Sequence, residues 1–290
     1  MNTRQIKRFC LSCLLMSLTV LLLIGCSKDS SVEPTPITSI SSGADAAESI
    51  AGAVGNQSGG LADLIGDIVD FTKVLKLGNV NNFGFLDHRQ AEYDEAAGLW
   101  TVTVERERGG KGNQPYGYWR RVYTIRFLNV NGLPQKHYIT GLDTARTVEF
   151  NILSGQGFHK NKRVSHELKD LEASFIATNV HTNLITVNGT MQRAGVDTVK
   201  TLNMTRISDH TLQLTVTDLV DPADSRGDLS QKISGTISGT FHADIIFDGK
   251  RGYSETTVDK TFTIVINNGQ AEIIINGRKY ICDLESGQIK

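Results

Sequence analysis

Seven histidines are the first residues that could do chemistry: His88, His137, His159, His166, His181, His210 and His242. None falls in an HExxH pattern, which sets two imidazoles and a base on one helix face, so a zinc hydrolase has no ligand set to start from. Asp87-His88 and Asp209-His210 are adjacent pairs, but neighbours on a strand point to opposite faces, and adjacency argues against a dyad. His159 and His166 flank a basic stretch of Lys160, Lys162 and Arg163 and are expected at the solvated surface. Asp221, Asp224 and Asp228 lack the alternating spacing of a calcium loop. Arg226-Gly227-Asp228 is short enough to arise by chance. No nucleophile elbow or phosphate loop appears, and the run Gly109 to Gly112 joins two strand patterns instead of opening a helix. These residues predict no enzyme, no metal and no cofactor.

Charge narrows the partners. The chain of 290 residues carries 30 basic and 31 acidic side chains. Arg4, Lys7 and Arg8 fall in the first 25 residues, which hold no acid, so 27 basic face 31 acidic residues beyond them. Nothing in that balance would hold a phosphate backbone, and nucleic acid is excluded as an expected partner. Cys282 sits in the apolar alternation Tyr280, Cys282, Leu284, where a buried, inert thiol is expected.

Phe9 to Ile24 follows the basic residues as sixteen mostly apolar positions. As a helix it would span ~24 Å, short of the ~30 Å hydrocarbon core, so a signal peptide fits better than a transmembrane anchor. Its end, Leu23-Ile24-Gly25-Cys26, resembles the lipobox of bacterial lipoproteins. The resemblance covers the first 26 residues and implies cleavage before Cys26 and acylation of its thiol and amine. Cys10 and Cys13 would leave with the signal peptide, and Cys282 alone would keep a thiol, which rules out an internal disulfide. Several acyl chains hold a protein stably on a bilayer. By resemblance to lipoprotein sorting, Ser27 in place of Asp favours the outer membrane of a Gram-negative bacterium, on its periplasmic or exposed side. Lys28-Asp29 is loosely similar to a surface-export signal. Asp143-Thr144-Ala145 and Asp197-Thr198-Val199 are similar to the O-glycosylation acceptors of some Gram-negative envelopes, making Thr144 and Thr198 candidate modification sites.

The elements that must carry these residues follow from periodicity. The signal peptide takes residues 1–25, and a Ser/Thr/Pro-rich tether takes 26–43. A helical segment is expected over 44–78 and a β domain over 79–290. Leu61, Leu64, Ile65, Ile68, Phe71 and Leu75 recur at helical steps, with Asp63, Asp67 and Asp70 on the other side and Gly78 as the expected stop. A membrane-surface helix would carry Lys and Arg on that side, so packing on the protein's own sheet is expected, with a lid or a partner groove as alternatives.

From Leu99 onward the period becomes two, through about eleven strand patterns with Asn131-Gly132, Asn268-Gly269 and Asn276-Gly277 as turns. No long helical pattern separates the strands, so the sheet is expected to be antiparallel. The expected fold is mainly β: a large, strongly curved antiparallel sheet, barrel-like or half-barrel, with the helical segment packed on it. A β-sandwich is the alternative. A transmembrane barrel is discounted, since the strand faces lack a uniform apolar band. In the longest pattern, Ile233 to Phe247, Gly235 and Gly239 leave room on the apolar face for a bend or an inner cavity. Such a cavity would be lined by Ile237, Gly239, Phe241, Ile245 and Phe262. The expected function is a lipid-anchored cell-envelope protein binding a hydrophobic envelope molecule in the curved sheet. The alternative is a structural or adhesive surface lipoprotein with no ligand pocket, meeting another envelope protein.

Overall fold

Unbroken period-two alternation requires strands that each hydrogen-bond to the next, and one antiparallel path joins twelve of them. The computed structural model describes residues 38–74, 87–109, 116–160, 162, 164–222, 234–250, 252–267 and 270–290. The signal segment, Cys26, the tether up to residue 37, Gly78, Arg163, the run Asp224 to Asp228 and the turn Asn268-Gly269 lie outside the described residues. Two helices come first, α1 (Thr38–Val54) and α2 (Leu61–Val74). The early strands are β1 (Asp87–Asp94), β2 (Leu99–Arg108) and β3 (Tyr116–Leu128), followed by the short β4 (Pro134–Gln135), β5 (Ile139–Thr140) and β6 (Asp143–Thr144). The long strands are β7 (Thr147–Lys160), β8 (Val164–Thr178), β9 (Leu184–Lys200), β10 (Met204–Pro222), β11 (Ser234–Gly249) and β12 (Gly252–Asn267). β13 (Gln270–Ile275), β14 (Arg278–Asp283) and β15 (Gln288–Ile289) close the chain.

The expected antiparallel sheet is present as a single open sheet running from β1 to β15, so the sandwich alternative is set aside. Three boundaries differ from the sequence reading. α1 begins at Thr38, inside the stretch read as tether. β1 is an edge strand whose Gln90 and Glu92 face solvent, so it carries no apolar alternation to announce it. The run Thr198 to Ile207 alternates in sequence like a single strand, yet it holds the β9–β10 turn.

Neighbouring strands rotate by about 20–25°, so eleven steps accumulate roughly 240°. Register shifts add bends at Val122/Tyr123, Leu168/Asp170 and Val216/Leu219. The sheet therefore curls until strands from both halves of the path reach the helices. Phe71 of α2 packs its ring 5.6 Å from Tyr123 on β3 and 6.0 Å from Phe150 on β7. From the far end, the Leu284 carbonyl accepts the Asn56 N–H at 2.7 Å and the Glu285 carbonyl accepts that of Gln57 at 2.8 Å.

The helix hairpin fills the apolar face. Ala46, Ala47, Ile50 and Ala51 of α1 and Leu61, Leu64, Ile65 and Ile68 of α2 are buried in one continuous core with the strand residues. Each fully buried Leu or Ile contributes about 1.5–3 kcal/mol. The connecting turn requires glycine where it meets the sheet: Gly59 has φ +69°, and a Cβ there would land in the Trp119 ring.

The acidic side of α2 is not solvated as periodicity suggests. Asp63 and Asp67 are buried and meet two arginines from the sheet. Arg106 bonds Asp63 Oδ1 and Asp67 Oδ1, each at 2.6 Å. Arg121 bonds Asp63 Oδ2 at 2.7 Å and donates to the Gly59 carbonyl at 2.7 Å. Tyr123 donates to Asp67 Oδ2 at 2.5 Å. Burial alone would raise the Asp67 pKa, but Arg106, Arg121 and the Tyr123 hydrogen bond outweigh it and hold the carboxyl at about 2. Arg206 on β10 ties down α1 through Asp45 and, at 2.7 Å, through Glu48. The helices are thus locked to the sheet by buried charge, as packing elements rather than a lid. Among the described residues no helix is long and apolar enough to cross a membrane.

Candidate functional site

A pocket of about 700 Å3 opens where α1, the ends of β7 to β10 and the β14–β15 turn meet. Gly52, Val164, Val199, Tyr280 and Ile289 give it largely apolar walls, Lys162 brings positive charge beside the Arg206–Glu48 ion pair, and the buried His166 and Asp197 reach it from below.

Those two belong to a buried polar chain. β8 pairs His166 with Asp197 of β9, and β9 pairs Gly195 with His210 of β10. Gly195 makes room for both imidazoles: a Cβ there would lie 3.0 Å from His166 Cε1 and 3.5 Å from His210 Cε1. His166 Nδ1 lies 2.6 Å from Asp197 Oδ1, and Ser49 of α1 donates to Asp197 Oδ2 at 2.6 Å. Arg193 lies 2.5 Å from His166 Nε2. A guanidinium only donates, so Nε2 accepts and the imidazole proton sits on Nδ1, donated to Asp197. The chain therefore runs Arg193, His166, Asp197, Ser49, with a partner at every link.

Its electrostatics follow from burial and pairing. Burial opposes the charge on Asp197, yet His166, His210 and the Ser49 hydrogen bond hold its carboxyl below the usual carboxylate range. Burial pushes His210 down to about 4, against the pull of Asp197, so its imidazole is neutral at pH 7. Burial also lowers Arg193 to about 10, which leaves it charged.

Ser, His and Asp in contact invite a catalytic reading, and the geometry rejects it. A nucleophilic serine needs an imidazole nitrogen to take its proton. Ser49 instead donates to the carboxylate, and the distal nitrogen of His166 is occupied by Arg193. A cation fits no better. His166, Asp197 and His210 bring ligand atoms within 4.8 Å of one another, but a metal on His166 Nδ1 would leave an Nε2–H facing the Arg193 N–H groups. The arrangement can orient a bound molecule; it has no activated group to attack one. No known protein family, curated protein or solved structure matches the chain.

None of the expected cavity residues lines this pocket, and two of them, Gly239 and Phe262, border a separate trough across the sheet. Ile237, Phe241, Ile245 and Phe262 are 0, 1, 8 and 4% exposed, inside the core that the helices complete. Gly239 leaves no void: a Cβ there would run into the Gln213 carbonyl oxygen and lie 2.6 Å from Cζ of Phe262, whose ring covers it. The room read into the glycines is taken by a neighbour's side chain. His166 is buried and not solvated, and His159 stacks on Trp119 at 6.4 Å. Asp209 and His210 part as expected, Asp209 to exposed Lys169 at 2.9 Å and His210 into the core. Cys282 is fully buried, and burial pushes its thiol up to about 12. Thr144 sits in the small β5–β6 hairpin beside the exposed Asp143, whereas Thr198 lies mid-sheet in β9 next to the buried Asp197.

Sequence reasoning missed Arg193, Asp197 and Ser49. The signal was there: Arg193 and Asp197 share the inward phase of Val187, Met191 and Val199 along β9. Charges at core positions require buried partners.

Proposed function

We propose that this chain is a lipid-anchored bacterial cell-envelope protein whose folded body is a non-catalytic binding module, taking a small amphipathic molecule in the 700 Å3 pocket. One observation carries the binding half: an open pocket with largely apolar walls sits over a polar chain whose nucleophile and base are both committed to other partners. Such a site can bury an apolar body and orient a polar end without reacting with it. The helix hairpin occupies the apolar face of the sheet, which favours this pocket over the sheet interior for a hydrophobic envelope molecule. The anchoring half rests on the lipobox resemblance at Cys26. Ser27 favours the outer membrane, with the folded body on its periplasmic or surface side.

The anchor is tested by Cys26→Ser. The variant should leave a precursor or a soluble product and lose its acyl chains in mass spectra. A variant still found with membranes after a high-salt wash, with wild-type acyl content, would remove the lipoprotein reading. The pocket is tested separately by filling it from Gly52.

A further inference from the structure

We propose that the solvent side of the sheet carries a second, separate binding site, for a neutral polysaccharide chain. A trough of about 1030 Å3 crosses six strands, β7 to β12. Ile152, Met191, Leu214 and Phe262 of its middle row are 2–4% exposed and turn into the core. A space of this size therefore belongs to the solvent side, where their neighbours stand exposed.

Register sets those neighbours in order. Ser174, Thr190, Thr215, Ser238 and Thr263 face one another across successive strands. Gln192, Gln213 and Thr240 form the next row. Strands lie about 4.8 Å apart, so the trough runs ~24 Å across the sheet. That is long enough for several sugar units of an extended chain.

The chemistry selects the ligand. Of the eighteen residues lining the trough only Glu172 is charged, where a chain with 21% charged residues would place about four. Charges stand just beyond it, in the pairs Lys169–Asp209 and His242–Asp259. Ser, Thr, Asn and Gln each offer both donors and acceptors, matching sugar hydroxyls, which do the same. A trough whose one charge is acidic gives nothing to a phosphate backbone. Its lining holds no arginine, and its one aromatic, Phe262, is buried, so the exposed walls carry none of the anchors that dominate protein interfaces. A rod-like, uncharged ligand rich in hydroxyls fits what remains.

The test uses the detergent-solubilised full chain on plates coated with neutral polysaccharides (a β-1,3-glucan, a xyloglucan, a galactomannan and amylose) and with anionic polygalacturonate. The expected result is saturable retention on at least one neutral glycan, weaker retention on polygalacturonate, and at least tenfold weaker retention for Gln213→Arg. The side chain of Gln213 is exposed, so the variant should keep its melting temperature. Gly52→Leu, on the other pocket, should retain glycan like the wild type. Retention on none of the neutral glycans, preference for polygalacturonate, or equal retention by a folded Gln213→Arg would each overturn the proposal and leave the end-pocket reading untouched.

Discussion

Asp67→Ala should destabilise the protein by about 3–5 kcal/mol, the cost of breaking a buried ion pair and leaving its partner charge behind. Asp67 is 1% exposed and accepts from Arg106 and Tyr123. Without it Asp63 alone faces two guanidiniums, and the Tyr123 hydroxyl loses its acceptor. The helix hairpin should loosen first, seen as faster amide exchange over Leu61–Val74. The pH dependence has a fixed sign. The folded carboxyl is held at about 2, below the 3.8 of a free aspartate, so its contribution is complete above about pH 4 and is lost as pH falls through about 2. Denaturation curves for wild type and variant should therefore lie apart at pH 7 and converge toward pH 2. A loss under about 1 kcal/mol at pH 7 would mean that the cluster is solvated and does not hold the helix.

Gly239→Leu should be equally visible, for a different reason. An inner cavity would admit the new side chain at little cost. The Phe262 ring and the Gln213 carbonyl oxygen instead occupy the place where a Cβ would go. Overpacking costs about 1–3 kcal/mol, and a backbone obstacle puts this site at the upper end. At 2–4 °C per kcal/mol the melting temperature should fall by roughly 6–12 °C. A variant melting within about 2 °C of wild type would bring back a cavity on the apolar face.

The sheet was legible because alternation along β11 is nearly complete: Ile237, Phe241, Ala243 and Ile245 turn inward while Thr236, Ser238, Thr240 and His242 turn outward. What periodicity cannot carry is occupancy. Gly239 reads the same whether its space is empty or filled by Phe262, since the filling residue comes from the neighbouring strand. The acids of α2 mislead for a related reason. Asp63 and Asp67 look like a solvated face until the curl of the sheet brings Arg106 and Arg121 to them. The Ser49–Asp197 bond joins residues 148 apart, and only the register of β8, β9 and β10 puts His166 beside them. Local features of the fold were written locally; the candidate site was written across the chain.

Gly52 offers the most direct test of the binding pocket. It lies on α1 in the pocket wall, and a Cβ there meets nothing within 4 Å. Gly52→Leu should enter pocket space without strain, and replacing glycine inside a helix gains up to ~1 kcal/mol. Native mass spectrometry of the solubilised chain, paired with a thermal melt, reads both effects at once. The predicted result is a small-molecule adduct on the wild type that disappears from Gly52→Leu, with an unchanged or higher melting temperature. No adduct on the wild type, or equal adduct on both, would contradict a ligand in this pocket and leave a structural or adhesive lipoprotein.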